Sequence, residues 1–306
     1  MDAKTVLLGA LVALTLSYIA GWFLTARRKR IAGGHGADEP VWPKPVHLGI
    51  GAVTNFFDTL GIGSFATTTA AYKSWKLVRD EQIPGTLNVG HTINAVIQAL
   101  VFIAVVEVEF RTLILMIGAA CAGAWLGAGI VAGLSRRKVQ IGMGTALLGA
   151  SVIVLAQLLN LAPGGNALAL SGAKLAMGVA GNFVLGMLMT LGVGLYAPCM
   201  VLVSILGMNP TAAFPIMMGS CAFLMPVASL QFVRKNAYNL RAALGLALGG
   251  PLAVLAAIWL VTSLPTTMVR ALVFCVILYT AITMLRSAAL ETRAVEKASR
   301  VAAQPE

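Results

Sequence analysis

Two short segments of this chain repeat almost residue for residue, 131 positions apart. The first, at 59–66, reads TLGIGSFA, and the second, at 190–197, reads TLGVGLYA. Each carries a pair of glycines inside sequence that is otherwise almost continuously apolar. Glycine pairs at matching points of two apolar halves are typical of broken membrane helices, which form substrate sites near the bilayer midplane in secondary transporters. The repeat therefore predicts a duplicated membrane protein that moves a small solute.

The composition of the chain is that of a membrane protein. Hydrophobic residues make up 58% of its 306 residues and charged residues only 11%, which leaves too little polar surface to cover a water-soluble globule. Apolar runs such as 6–26 and 113–134 reach the roughly 20 residues that a helix needs to cross about 30 Å of hydrocarbon. Helices are the expected spanning elements, because an open sheet edge in lipid would leave backbone groups unpaired.

Basic residues form short clusters beside the apolar runs. A cluster follows the run at 6–26, whereas a signal peptide carries its charges in front of a shorter apolar core, so we expect a retained first helix. The net charge of +11 therefore indicates orientation in a membrane and not nucleic-acid binding.

The two segments that carry the glycine pairs, 46–72 and 172–208, fit either a single crossing or a hairpin that enters and leaves on one side. Cytoplasmic loops of membrane proteins carry an excess of Lys and Arg. With both segments as hairpins and the N-terminus outside, 18 of the 22 Lys and Arg residues lie in the cytoplasm, against 14 with single crossings. The count favours hairpins.

This topology makes each half a glycine-broken hairpin followed by three transmembrane helices, so the halves cross the membrane in opposite directions. We predict an all-α polytopic membrane protein with an inverted-topology internal repeat and one extra N-terminal helix. It is expected in the plasma (inner) membrane, with the N-terminus outside and the C-terminus cytoplasmic. The predicted segments are an extra N-terminal transmembrane helix at 1–30, a cytoplasmic linker at 31–45, a first repeat at 46–162, an external connector at 163–171, an inverted second repeat at 172–288 and a cytoplasmic tail at 289–306.

Smaller matches between the halves keep nearly the same spacing. Pro84 and Pro210 follow the two glycine-broken segments, and a GHT element at 90–92 corresponds to a GSC element at 219–221. Together with the broken segments, this layout over 46–288 resembles the sulfite exporter family TauE/SafE.

The resemblance implies a membrane carrier that exports small anions such as sulfite, sulfonates and sulfoacetate-like compounds, driven by the proton gradient. The first half reads SFATTT at 64–69, where family members have a glycine-rich turn and a proline. The second half keeps Tyr196-Ala197-Pro198. This departure bears on the identity of the substrate more than on the fold.

The glycine pairs are the predicted centre of an anion site. A helix broken in the membrane exposes unpaired N–H groups that attract an anion, and glycine lets the ligand approach the backbone closely. Nearby hydroxyls can donate to the oxygens of sulfite or a sulfonate. Tight helix packing through small residues is the alternative explanation of the same pattern. The predicted substrate-binding residues are Gly61, Gly63, Ser64, Thr67, Thr68, His91, Thr92, Gly192, Gly194, Cys199, Ser220 and Cys221.

Asp58 and His91 are candidates for proton coupling. Asp58 stands one turn before the first glycine pair, and a carboxylate at membrane depth costs about 2.5–3.5 kcal/mol on insertion scales. Because burial favours the protonated form of a carboxyl group, Asp58 can carry a proton; the alternative is that it lies near the cytoplasmic mouth or caps a half-helix. His91 suits substrate contact, proton relay or a hydrogen bond to a neighbouring helix.

A file of polar residues that includes Asn94 follows in the first crossing after the hairpin, and Asn88, His91, Thr92 and Gln98 have spacings that can share one helical face. The residues that match His91 and Thr92 in the second half are uncharged. We therefore expect the first half to supply the charged groups of the site and the second half to supply only the shape of the site. The second-tier site candidates are Asn55, Asn88, Asn94, Gln98 and Asn182.

The sequence indicates neither a metal nor a cofactor. The four cysteines lie in apolar sequence, without a C-x-x-C pair or a histidine at metal-ligand spacing, so structural thiols are expected. Cys199 and Cys221 stay site candidates because of their place in the second repeat.

The leading hypothesis is a proton-coupled exporter that works by alternating access. Its expected partners are the small anionic substrate, protons and the lipid bilayer, and a homodimer is compatible with the sequence. An anion or solute channel with two re-entrant half-helices is the alternative, and it predicts a continuous opening without proton coupling. A membrane enzyme has little support, because the sequence contains no Ser/His/Asp grouping, metal cluster or phosphate loop.

Overall fold

The computed structural model describes residues 3–31, 41–131, 136–159, 161, 165–189 and 194–302. These residues form α-helices joined by turns and two short 3₁₀ segments, and they contain no β-strand, which confirms the predicted all-helical class. The helices are α1 Ala3–Ile31, α2 Pro45–Thr59, α3 Ser64–Ser74, α4 Ile83–Val105, α5 Phe110–Val131, α6 Arg136–Leu158, α7 Gly172–Met189, α8 Tyr196–Ile205, α9 Ala213–Lys235, α10 Leu240–Ser263 and α11 Thr266–Ala302.

Within the described residues, 7 helices are long and apolar enough to cross a membrane. They are α1, α4, α6, α7, α9, α10 and α11, whereas α5 carries a shorter apolar stretch, Phe110–Leu126. The helices α3 and α8 contain only 11 and 10 residues. At about 1.5 Å per residue they extend across roughly half of the hydrocarbon layer, so we expect one end of each to lie near its middle.

The first glycine pair lies where one helix ends and the next begins. Between the end of α2 and the start of α3, Gly61 and Gly63 have φ angles of +97° and +85°. Residues with a Cβ rarely adopt these angles, so this turn requires glycine at both positions. The helix is broken where the sequence predicts it.

The second glycine pair falls between α7 and α8. Gly192 lies outside the described residues, and Gly194 is exposed. The helix α7 has 18 residues, enough to cross a membrane alone, whereas α2 has 15. The first arms of the two predicted hairpins therefore differ in length.

The two halves of the chain pack against each other in exchanged pairs. The helix α2 of the first half packs on α10 of the second, and α7 of the second half packs on α5 of the first. The other large contacts join α4 to α9, α6 to α11 and α4 to α10. Exchanging the halves converts the first contact into the second and leaves the contacts of α4 with α9 and of α6 with α11 unchanged, whereas it converts the contact of α4 with α10 into the smaller one of α9 with α5. This pattern accords with a duplication, while the opposite membrane orientation of the halves and the segment boundaries stay predictions.

Glycines bring the exchanged pairs together. A Cβ on Gly249 of α10 would touch the carbonyl oxygen of Leu48 in α2, and one on Gly186 of α7 would touch the carbonyl oxygen of Ala120 in α5. In lipid the hydrophobic effect does not drive helices together. The van der Waals contact that this close approach allows therefore stabilises each helix pair. Packing through small residues therefore explains these glycines.

The extra helix α1 packs against α4 and α9. The Tyr18 hydroxyl donates to the Val89 carbonyl at 2.9 Å, and the Trp22 indole N–H donates to the Tyr238 hydroxyl at 3.0 Å. The rings of Tyr18 and Trp22 stack with centroids 5.9 Å apart. The aromatic residues of α1 therefore attach it both to α4 and to the turn that follows α9.

We expect Gly249→Ala to lower the free energy of unfolding by about 1–3 kcal/mol, because the new methyl group overlaps the backbone of α2. Gly118 is the matched control: it lies 131 residues earlier, in α5, and a Cβ there would meet no atom within 4 Å. Gly118→Ala should leave the thermal unfolding midpoint in detergent unchanged or slightly higher, because alanine favours helix. Equal destabilisation by both changes would contradict the packing described for α2 and α10.

Candidate functional site

A cavity of about 80 Å³ lies where the two helix breaks meet. The turn between α2 and α3, the residues around the start of α8, one face each of α4 and α9, and one residue of α11 line it. Holding one water molecule takes about 10–15 Å³ of such space, so the cavity has room for a solute of a few heavy atoms. The lining is mainly apolar with a few polar groups, as is usual for small-molecule sites.

The two helix breaks contribute matching positions to this cavity. Asp58 and Met189, which are 131 residues apart, both line it, and so do Ser64 and Leu195 at the same spacing. In each pair the first half supplies a polar side chain and the second half an apolar one. This is the division between the halves that the sequence predicts.

The helices α4 and α9 contribute a second matched set. His91 and Ala95 of α4 line the cavity, and so do Cys221 and Met225 of α9, each 130 residues later. In the sequence, the GHT and GSC elements instead pair His91 with Ser220. The Ser220 hydroxyl donates to a backbone carbonyl of its own helix at 2.7 Å. One residue of offset turns a helix by about 100°, which accounts for the difference.

The Asp58 carboxylate caps the N-terminus of α3. Its Oδ1 atom accepts a hydrogen bond from the Ser64 backbone N–H at 2.6 Å, and Oδ2 accepts from the Gln98 side chain at 3.0 Å. Only 5% of Asp58 is exposed. A negative group at a helix N-terminus is stabilised by the unpaired N–H groups and the helix dipole. A carboxylate of the protein itself therefore occupies a helix end where the sequence predicts a bound anion.

Gln98 of α4 connects the starts of the two short helices. Its amide nitrogen donates to Asp58 and, at 2.9 Å, to the Thr59 hydroxyl. Its side-chain oxygen accepts from the hydroxyl of Tyr196, the first residue of α8, at 3.3 Å. One buried side chain therefore joins the groups at the starts of both short helices.

His91 of α4 bridges α2 and α3. The Asn55 side chain donates to the Gly51 carbonyl at 2.7 Å, so its oxygen is the atom that faces His91 Nδ1 at 2.9 Å. Nδ1 therefore carries a proton. The other ring nitrogen, Nε2, lies 3.0 Å from the Thr68 hydroxyl, which donates to it when the ring is neutral. Both ring nitrogens are paired, and the ring lies beside Phe65 with centroids 5.9 Å apart.

The polar residues of α4 do not share the single face that their spacing suggested. Thr92 shares a hydrogen bond with Ser229 of α9 at 2.8 Å, and Asn94 donates to the Leu246 carbonyl of α10 at 2.9 Å. Gln98 points to the turn between α2 and α3. Thr92 and Asn94 therefore make hydrogen bonds between helices.

Other predicted residues are engaged away from the cavity. Thr67 and Asn88 each donate to a backbone carbonyl of their own helix, and Asn182 donates to a backbone carbonyl of α5 at 2.7 Å. Cys199 is buried among apolar side chains. The predicted binding and coupling residues that line the cavity are Asp58, Gly61, Gly63, Ser64, His91, Gly194 and Cys221. Those that do not line it are Thr67, Thr68, Thr92, Cys199 and Ser220, and Gly192 lies outside the described residues.

Nine lining residues are absent from the prediction, and Tyr196, Met225 and Thr280 are the ones among them that bear on the site's chemistry and spacing. Tyr196 belongs to the repeated segment itself, and Met225 lies four residues after Cys221, so spacing could have found both. Thr280 is one of several hydroxyl residues in α11, and no repeat or spacing distinguishes it from the others. Its Oγ1 atom is buried and has no hydrogen-bond partner among the described residues.

In the part of the chain that the structure describes, the cavity lining contains one carboxyl group, that of Asp58, and no Lys or Arg side chain. The described residues also contain no group of three or more His, Cys, Asp or Glu side chains that could hold a metal ion. An anion in this cavity therefore depends on helix ends and neutral hydrogen-bond donors. The arrangement can bind a small anion and can hold a proton at Asp58.

A family model described as "Sulfite exporter TauE/SafE" matches residues 1–154, which is half of the chain. The matched part runs from α1 into α6 and includes the turn between α2 and α3 with Asp58, and α4 with His91 and Gln98. No curated protein and no solved structure matches the chain.

We expect Asp58→Leu to lower the free energy of unfolding by about 1–3 kcal/mol, because it leaves the Ser64 N–H and the Gln98 amide without their acceptor. Asp58→Asn is the matched control, since its amide oxygen can still accept from Ser64. In detergent, the thermal unfolding midpoint of the asparagine variant should be higher than that of the leucine variant. If leucine is tolerated as well as asparagine, Asp58 does not stabilise the start of α3.

Proposed function

Because the chain belongs to the sulfite exporter TauE/SafE family, we propose that it is a secondary transporter that exports a small anion. The proposed substrates are sulfite, sulfonates, sulfoacetate-like compounds and small carboxylates. Family membership and the 7 apolar helices support an integral membrane protein that functions in transmembrane transport. We place it in the plasma (inner) membrane, with the N-terminus outside and the C-terminus cytoplasmic, as the distribution of Lys and Arg favours.

The observation that carries this proposal is the position of Asp58, which lines the cavity and caps α3. At an effective dielectric constant of about 20, a second negative charge about 6 Å away costs about 3 kcal/mol, roughly a factor of a hundred in affinity. An anion therefore binds more tightly when Asp58 is protonated. By linkage, the bound anion favours protonation of Asp58 by the same factor.

Protonation of Asp58 also provides a link to conformational change. A neutral carboxyl group accepts hydrogen bonds less strongly than a carboxylate, so the contacts to Ser64 and Gln98 weaken together. Because Gln98 also accepts from Tyr196, the starts of α3 and α8 respond to the same proton. Proton and anion binding thus act on the two helices that border the cavity.

The proposed motion is alternating access, in which the hairpins and the crossings that follow them rock between two positions. The exchanged packing of α2 on α10 and of α7 on α5 supports it, because each hairpin then rests on the opposite half. With the halves inverted in the membrane, the same movement opens the cavity to one side and then to the other. With coupling of this sign the anion and the proton move in the same direction, so an outward gradient of the anion drives export and a proton gradient that is acidic outside opposes it.

Flux in proteoliposomes tests this function. The purified protein is reconstituted, and uptake of labelled sulfite, sulfoacetate, taurine and acetate is followed with and without a pH gradient, with protein-free liposomes as the leak control. We expect a gradient that is acidic on the side of the anion to raise the initial rate for one or more of these solutes. Flux that does not respond to the pH gradient would favour the channel alternative. Absence of flux for all four solutes would contradict anion transport by this chain.

Asp58→Asn should abolish the response to the pH gradient and spare the exchange of labelled for unlabelled anion. The neutral side chain removes both the proton site and the repulsion of the substrate. Glu109→Gln is the control, because Glu109 lies in the turn before α5, bonds to Thr112 and does not line the cavity. Gradient-driven flux at the wild-type rate in Asp58→Asn would rule out Asp58 as the proton carrier.

A further inference from the structure

The two short helices that begin at the cavity differ at their N-termini. The helix α3 begins beside Asp58, and the Asp58 carboxylate accepts a hydrogen bond from the first N–H group of α3. The helix α8 begins after Leu195, whose side chain has no atom that can accept a hydrogen bond. Among the described residues, the N-cap residue of α8 therefore supplies no side-chain acceptor to the positive end of its helix.

The first turn of α8 offers two N–H groups to the cavity. Tyr196 and Ala197 are its first two residues, and both line the cavity. Pro198 has no N–H, and the N–H of Cys199 is bonded to the Leu195 carbonyl at 3.0 Å. The first N–H groups of an α-helix have no partner within the helix. An anion in the cavity can therefore accept hydrogen bonds from this end.

A third donor comes from α11. Thr280 lines the cavity, is 9% exposed, and its Oγ1 atom has no hydrogen-bond partner among the described residues. Other threonines of this chain, such as Thr54, Thr59 and Thr262, donate to the backbone carbonyl four residues earlier. A buried hydroxyl without a partner is destabilising. A ligand that accepts from Thr280 would remove that cost.

We propose that the substrate anion binds at the N-terminus of α8, where it accepts hydrogen bonds from the Thr280 hydroxyl and from the N–H groups of Tyr196 and Ala197. The helices α8 and α11 pack against each other, so these donors come from neighbouring helices. The N-terminus of α3 stays with Asp58, which holds the proton. This inference rests on the proposed transport function and gives anion and proton separate places in the cavity.

The donor arrangement selects a class of anion. The hydroxyl and the backbone groups lie on different helices, so the ligand needs two or more oxygen atoms on one centre to bond to both. Sulfite, sulfonates and carboxylates meet this condition. Their affinity then depends on Thr280, which does not belong to the repeated glycine segments.

Equilibrium binding of sulfite and of sulfoacetate to the purified full-length protein in detergent, measured by titration calorimetry, tests the role of Thr280. We expect Thr280→Val to weaken binding about tenfold or more, the loss typical of a hydrogen bond to a charged group. Thr280→Ser keeps the hydroxyl and should stay within about threefold of wild type. Without ligand, Thr280→Val should unfold at the same temperature as wild type or higher, because it removes an unpaired buried hydroxyl.

Thr283→Val is the matched control on the same helix. Its hydroxyl donates to the Thr280 backbone carbonyl at 3.0 Å and it does not line the cavity, so binding should not change. Wild-type affinity in Thr280→Val, or an equal loss in Thr283→Val, would overturn the assignment of Thr280. A wild-type protein that binds neither anion would instead contradict the proposed function itself, and this inference with it.

A second pair of variants tests the end of α8 independently. Leu195→Asp places a carboxylate at the N-cap position of α8 and should weaken sulfite binding about a hundredfold more than Leu195→Asn, the cost of a second negative charge about 6 Å away. The two side chains have nearly the same size and shape, so any loss of packing around Leu195 is common to both. Equal binding by the two variants would show that the anion does not lie at this helix end.

Discussion

The hydrogen bond between the Asp58 carboxylate and the Ser64 backbone N–H is the interaction on which the rest of the site depends. A helix that begins inside a bilayer cannot pair its first N–H groups with water, so the protein must supply acceptors. The positive φ angles at Gly61 and Gly63 turn the chain so that a side chain from the end of α2 reaches the start of α3. The same turn sets a titratable group in the wall of a cavity that holds only a small solute.

Around this interaction the two halves provide matching positions with different chemistry. Asp58 corresponds to Met189, and His91 corresponds to Cys221, so the first half supplies a carboxyl group and an imidazole where the second supplies sulfur and apolar surface. An anion and a proton can therefore occupy distinct ends of one cavity. In the proposed mechanism, coupling follows from electrostatic repulsion over a short distance and needs no long chain of residues.

The sequence predicts the helical class, the break at the first glycine pair and the position of Asp58 beside that break, because glycine pairs and a carboxyl group are rare in apolar segments. It does not reveal which polar side chains face the cavity. Ser220 differs from the cavity-lining position by one residue, and one residue rotates a helix by about 100°. Thr280 gives no periodic signal at all, since its significance lies in a missing hydrogen bond that only the packing of α11 determines.

Infrared difference spectroscopy of the reconstituted protein, recorded on addition of sulfoacetate, tests most directly the claim that anion binding protonates Asp58. Near neutral pH we predict that binding produces a carbonyl stretching band of a protonated carboxyl group and an equal loss of carboxylate absorption. Asp58→Asn should bind the anion without this band. Wild-type protein that binds sulfoacetate with no gain of a protonated carboxyl signal would contradict the coupling of anion and proton in this cavity.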